Sequence, residues 1–144
     1  MTATLATVLV VDDNQGFLRA ARGILGDAFV VHTVENGTDA LAFLERRGAY
    51  GDAPRPAFIV LDFHLPDMNA PAILARLAGD DGLRAIPVLV LSQADWEEDE
   101  AAARAAGARA FQVKPSRVRA LRDAIMGFWK EHAGHGGHDP ADRR

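Results

Sequence analysis

A chain of 144 residues, 49% of them apolar, is long enough for one well-packed domain. Its formal net charge of -4 and pI near 5.7 give no basic field for nucleic acid, and no aromatic residues alternate with arginines along a strand. The absence of cysteine excludes disulfides and thiolate metal sites; the start lacks a basic flank and no apolar stretch reaches the roughly 18 residues of a membrane span, so no membrane partner and a cytoplasmic location are expected.

In chain order, Val8–Val11 is the first β-branched, continuously apolar run, the pattern of a strand buried on both faces, and it ends at Asp12 and Asp13. Phe17, Ala21, Ile24 and Leu25 then follow a helical spacing. Phe29–Val34 has strand character, and the segment GAYGDAPRP from Gly48 to Pro56 is a loop. Phe58–Leu61 stops at Asp62, and Val88–Leu91 stops at Ser92. The acidic run from Asp95 to Glu100 is better explained as acids complementing a helix N-terminus than as a second metal site, and Trp96 within it marks a candidate partner contact. Ala110–Val113 ends at Lys114, and Val118, Leu121, Ile125 and Phe128 return to helical spacing. Residues 1–131 form the expected domain. Residues 132–144, rich in Gly, Pro and charge, are expected as a flexible tail in which His132, His135 and His138 are solvated rather than metal-bound.

Five alternations of strand and helix predict an α/β domain, a doubly wound parallel sheet with helices on both faces. Ligands of such sheets sit outside the carboxyl ends of the strands, where the residues ending the apolar runs must meet. Three carboxylates, a hydroxyl and an ammonium therefore converge on one crevice. Clustered carboxylates repel and call for a cation, and an all-oxygen donor set favours Mg²⁺. An aspartate beside Mg²⁺ is suited to attack phosphorus, with Lys114 and Ser92 placed to hold phosphoryl oxygens.

The motifs VLVVDDN, IVLDFHLPDMNA, VLVLSQ and AFQVKP, spread over about residues 6–130, resemble the response-regulator receiver domains of bacterial two-component signalling. The resemblance implies a flavodoxin-like (βα)5 fold with strand order 2-1-3-4-5. It implies Asp62 as the phosphoacceptor for a sensor histidine kinase, and Mg²⁺ held by Asp13, Asp62 and the His64 backbone carbonyl, with Asp12 assisting through water. Ser92 and Phe111 would form the switch, the ring moving inward on phosphorylation and remodelling the face of the fourth helix, fifth strand and fifth helix. Lys114 would clamp a phosphoryl oxygen, and the Lys114–Pro115 peptide would be cis. The GAYGDAPRP insert, the LRAIPVLVLS approach and the MGFW ending are similar to regulators paired with bacterial phytochrome kinases, which pair with each other through their last helices. Phe128 and Trp129 are the interface candidates for such a homodimer. Phe128 keeps the buried register of its helix; Trp129 lies off it and is the better partner surface.

Departures from the family pattern are modest. Ser92 stands in for the usual threonine, Phe111 lacks the tyrosine hydroxyl, and Ala70 replaces a common glycine. Gln93 is bulky enough to restrict small phosphodonors. Ala94 cannot position water, so the phosphorylation lifetime is expected to be set largely by His64 and by the kinase. With no second domain expected after residue 131, output to an unknown downstream protein must pass through a surface. Two rivals remain: a Mg²⁺-dependent phosphatase with an aspartyl-phosphate intermediate, disfavoured because His64 stands where a second aspartate is commonly needed, and a phosphorylation-independent interaction module.

Overall fold

The computed structural model describes residues 5–93 and 96–133. Ala94, Asp95, His135 and His138 lie outside them. Strands β1 (Ala6–Val11), β2 (Phe29–Val34), β3 (Phe58–Asp62), β4 (Val88–Ser92) and β5 (Ala110–Val113) alternate with helices α1 (Gln15–Leu25), α2 (Gly37–Glu45), α3 (Ala70–Ala78), α4 (Glu97–Ala106) and α5 (Val118–Phe128). All strand pairs are parallel, in the order β2-β1-β3-β4-β5, the flavodoxin-like arrangement expected. The two central apolar runs extend by one residue, so that Asp62 and Ser92 are the last residues of their strands.

A strand buried on both faces divides its side chains by the two-residue period of the pleat. Val8, Val10, Phe58, Val60, Leu89 and Leu91 pack with Leu18, Ala21, Leu25, Leu121 and Ile125 of α1 and α5. Leu9, Val11, Ile59, Leu61, Val88 and Val90 face α2, α3 and α4. The continuous apolar runs are thus two alternating half-sets, each covered by its own helical layer.

Each of the first three helices starts just past the carboxyl end of a strand, and each is capped by an asparagine. Asn14, Asn36 and Asn69 accept hydrogen bonds from the amides of Phe17, Asp39 and Ala72 at 2.8, 2.7 and 3.4 Å. Helix α4 has Trp96 at its N-cap, which gives no side-chain cap, and Glu97, Glu98, Asp99 and Glu100 fill its first turn instead. The Gly48–Pro56 loop contains a short 3-10 turn, Gly48–Tyr50, anchored by the Tyr50 ring 5.6 Å from Phe43.

The end of the chain departs from expectation. Phe128 is buried as its register predicts, but Trp129 also folds back, its indole 5.4 Å from the Phe29 ring and 5.3 Å from Phe58. Helical register assigns a direction to each Cβ, whereas an indole at a helix end reaches far enough to cover the neighbouring rings. Val118, in the same register as Phe128, is 50% exposed because it stands in the first turn of α5. A wide π-type turn, Trp129–Ala133, continues the helix past residue 131, with the His132 ring 4.8 Å from Phe128. No helix among the described residues is long and apolar enough to cross a membrane.

Candidate functional site

Parallel register brings the strand ends together. Asp62 lies opposite Leu91, the Lys114 amide donates to the Ser92 carbonyl at 2.7 Å, and the Asp12 amide donates to the Val34 carbonyl at 3.1 Å. Asp12, Asp62 and Ser92 are buried and Asp13 is exposed. Lys114 crosses the crevice, its Nζ 2.6 Å from Asp12 Oδ2 and 3.5 Å from Asp62 Oδ1. The Phe17 ring supports that ammonium, with its centroid 4.4 Å from Nζ. Ammonium and carboxylate together leave the buried Asp12 neutralised.

Asp62 is less well compensated. Burial and the Asp12 charge push its pKa from 3.8 up to about 6, against the opposing pull of Lys114, with Asp13 adding to the rise. Asp12, Asp13 and Asp62 each present a carboxylate oxygen, all within 4.8 Å of one another. This all-oxygen set, with more negative charge than one lysine balances, fits a hard divalent cation.

The other expected site residues fall around this crevice with one difference. The Lys114–Pro115 peptide is trans. The trans form is the intrinsic preference even before proline, and Lys114 reaches both aspartates with it. Phe111 is buried, 8% exposed, with its ring edge-on to Phe63 at 6.5 Å. A phenyl ring, lacking a hydroxyl to keep in water, gains by burial against Phe63. Gln93 is exposed beside Ser92, and the exposed His64 lies on the loop leaving β3. Ala70 is fully buried at the start of α3.

Two features of that loop escaped the sequence. Asp67 accepts hydrogen bonds from the Gly37 and Thr38 amides, both at 2.8 Å, and from the Thr38 hydroxyl at 2.6 Å, clasping the N-terminus of α2. A side chain at Gly37 would run into Met68, so glycine lets the loop close on the helix. His64 Nε2 stands 3.2 Å from Asp99 Oδ2 in α4. Neither leaves a local pattern, since the first joins residues 30 apart and the second 35.

Desolvation raises the Asp67 pKa, but the bonds from Thr38 and Gly37 outweigh it and hold the carboxyl below 3.8. Its contribution is therefore present above pH 3.8 and lost as the pH falls through the lowered value. Asp67→Ala is expected to cost about 1 kcal/mol at pH 7, and less at pH 3, in denaturant unfolding.

Comparison with known proteins places these features. Residues 8–126 match the response regulator receiver domain. The response regulator Rcp1 of Synechocystis sp. is 29% identical over 130 residues, 86% of this chain and 88% of Rcp1, and its Mn²⁺-bound structure superposes with a TM-score of 0.78 at 26% identity, covering 89% of this chain and 94% of that one. The phosphorylated cyanobacterial phytochrome response regulator RcpA superposes with a TM-score of 0.82 at 28% identity, over 90% of this chain and 94% of RcpA. The bacteriophytochrome response regulator AtBRR gives a TM-score of 0.71 at 32% identity, over 86% and 92% of the two chains.

Proposed function

This chain belongs to the response regulator receiver domain family and is related to phytochrome response regulators, and from that premise we propose that it is a phosphorylation switch with Asp62 as the acceptor. The observation that carries this reading is the joint placement of Asp62, Asp12, Asp13 and the Lys114 ammonium in one crevice at the sheet edge. Receiver domains are in general signalling switches rather than enzymes with external substrates.

In the proposed step an Asp62 oxygen bonds to phosphorus as the nitrogen–phosphorus bond of a kinase phosphohistidine breaks. Mg²⁺, when held by Asp12, Asp13, Asp62 and the His64 carbonyl, offsets the repulsion between carboxylate and phosphoryl oxygens. Burial on the apolar β3 strand gives Asp62 a fixed attack direction. Lys114 then exchanges its bond to Asp12 for one to a phosphoryl oxygen, and the Ser92 hydroxyl donates to another. Ser92 and Phe111 form the proposed switch, the Ser92 hydroxyl moving toward the phosphoryl group and the Phe111 ring, packed edge-on against Phe63, following that movement.

The kinase is of the phytochrome type, and the output surface is the α4-β5-α5 face, in the cytoplasm. Val113 on the edge strand β5 and Val118 on α5, 42% and 50% exposed, give that face apolar positions for a second copy or a downstream protein. With Phe128 and Trp129 packed inward, the homodimer contact falls to this surface.

The test is intact-mass analysis of wild type and Asp62→Ala after incubation with a phosphorylated phytochrome-type kinase, with Mg²⁺ and with chelator. One phosphoryl group on wild type alone, and only with Mg²⁺, is expected. Equal labelling of both chains would remove Asp62 from the role; turnover of a generic phosphate ester would make the chain a phosphatase instead.

A further inference from the structure

His64 and Asp99 belong to different strand–helix units, yet their side chains meet at 3.2 Å. Because β3 and β4 are adjacent and Asp62 is level with Leu91, the loop after β3 and the helix after β4 rise side by side from the sheet edge. A bond from His64 to the first turn of α4 therefore spans the flank of the crevice on which Ser92 lies. The imidazole is also held between rings, with its centroid 4.6 Å from that of Phe63 and 6.3 Å from that of Trp96.

Asp99 stands apart from its acidic neighbours. Glu97 and Glu98 are exposed, as acids serving only the helix dipole are free to be, while the Asp99 side chain is 15% exposed and turned toward His64. The dipole accounts for an acid in this turn but not for its direction; the bond to His64 does.

We propose that Asp99 is a positioning residue that holds His64 across the β4 flank of the crevice and so slows hydrolysis of the phosphorylated switch. The inference rests on Asp62 being the phosphoacceptor. In hydrolysis, the oxygen of water bonds to phosphorus as the Asp62–phosphorus bond breaks. The carboxylate leaves with the electron pair, and the proton passes to phosphate or solvent. In-line attack needs water opposite the leaving oxygen, at the mouth of the crevice. An imidazole strapped between β3 and α4 narrows that approach, and a released one leaves it open.

The experiment measures the lifetime of the phosphoryl group by intact mass, after removal of the kinase, in wild type, Asp99→Asn, His64→Ala and the double variant. Equal labelling at time zero shows that all four chains fold. Loss of about 3- to 10-fold in lifetime is expected for each single variant, with the double variant no shorter-lived than the singles because both act through one contact. An unchanged lifetime in Asp99→Asn, or effects that multiply in the double variant, would overturn the inference while leaving Asp62 in its role. A wild-type chain that takes no label would overturn the acceptor assignment and this inference with it.

Discussion

Asn in place of Asp62 is expected to make the chain more stable than wild type at pH 8 in the presence of chelator, by about 3 kcal/mol. The reason is the raised pKa of Asp62, about 6 against an ordinary 3.8, caused chiefly by burial and by the Asp12 charge. Below pH 3.8 the carboxyl is protonated in folded and unfolded chains alike and costs nothing. Between 3.8 and about 6 the unfolded chain gives up its proton first, so stability falls as the pH rises. Above about 6 both states are ionised and the whole penalty remains. The advantage of Asp62→Asn should therefore be largest at pH 7–8 and shrink toward zero near pH 4, which paired denaturant titrations at each pH will read. Adding Mg²⁺ should reverse the order, since wild type gains an ion that the variant has lost a ligand for. Equal midpoints at pH 8 with chelator would show that Lys114 already neutralises the crevice.

Removing Lys114 should have the opposite sign. Asp12 is 1% exposed and its carboxylate is bonded to Lys114 Nζ at 2.6 Å. Lys114→Ala leaves that charge buried without its partner, a change expected to cost about 3–5 kcal/mol. Lys114→Met keeps a long side chain in the crevice but removes the ammonium that sits over the Phe17 ring, so a loss shared by both variants belongs to the charge. Divalent ion should restore much of the stability in both, because it supplies positive charge to the same carboxylates. A cost under about 1 kcal/mol with chelator would mean that water reaches the Asp12 carboxylate once the lysine is gone. Together the two variants make stability a direct readout of electrostatic balance at the site.

How far such a site can be read from sequence depends on whether its causes are local. The strands were legible because Val8–Val11, Phe58–Leu61 and Val88–Leu91 are apolar on both faces, a pattern few other structures produce. The site followed from them, since parallel strands put their carboxyl ends on one edge and Asp12, Asp62, Ser92 and Lys114 each end a run. What failed had tertiary causes. The inward turn of Trp129 depends on Phe29 and Phe58, contributed by two distant strands. The clasp of Asp67 on α2 and the bond of Asp99 to His64 join residues about 30 and 35 apart, with no periodicity to announce them. The trans Lys114–Pro115 peptide departed from an expectation carried by family resemblance alone. Resemblance supplied roles for residues, and only the packing of this chain supplied their conformations.

The positions of the two tryptophans have a practical result. Trp96 is 56% exposed and its ring is 6.3 Å from that of His64, while Trp129 is wedged among phenyl rings at the far end of the sheet. Intrinsic fluorescence is therefore expected to divide between a red-shifted emitter in water beside the loop that follows Asp62 and a bluer one partly shielded by phenyl rings. Because the sequence holds these two tryptophans and no others, a single Trp96→Phe spectrum isolates the shielded component. Subtraction then turns the remainder into an optical signal for movement of α4, without a label, on the unaltered chain.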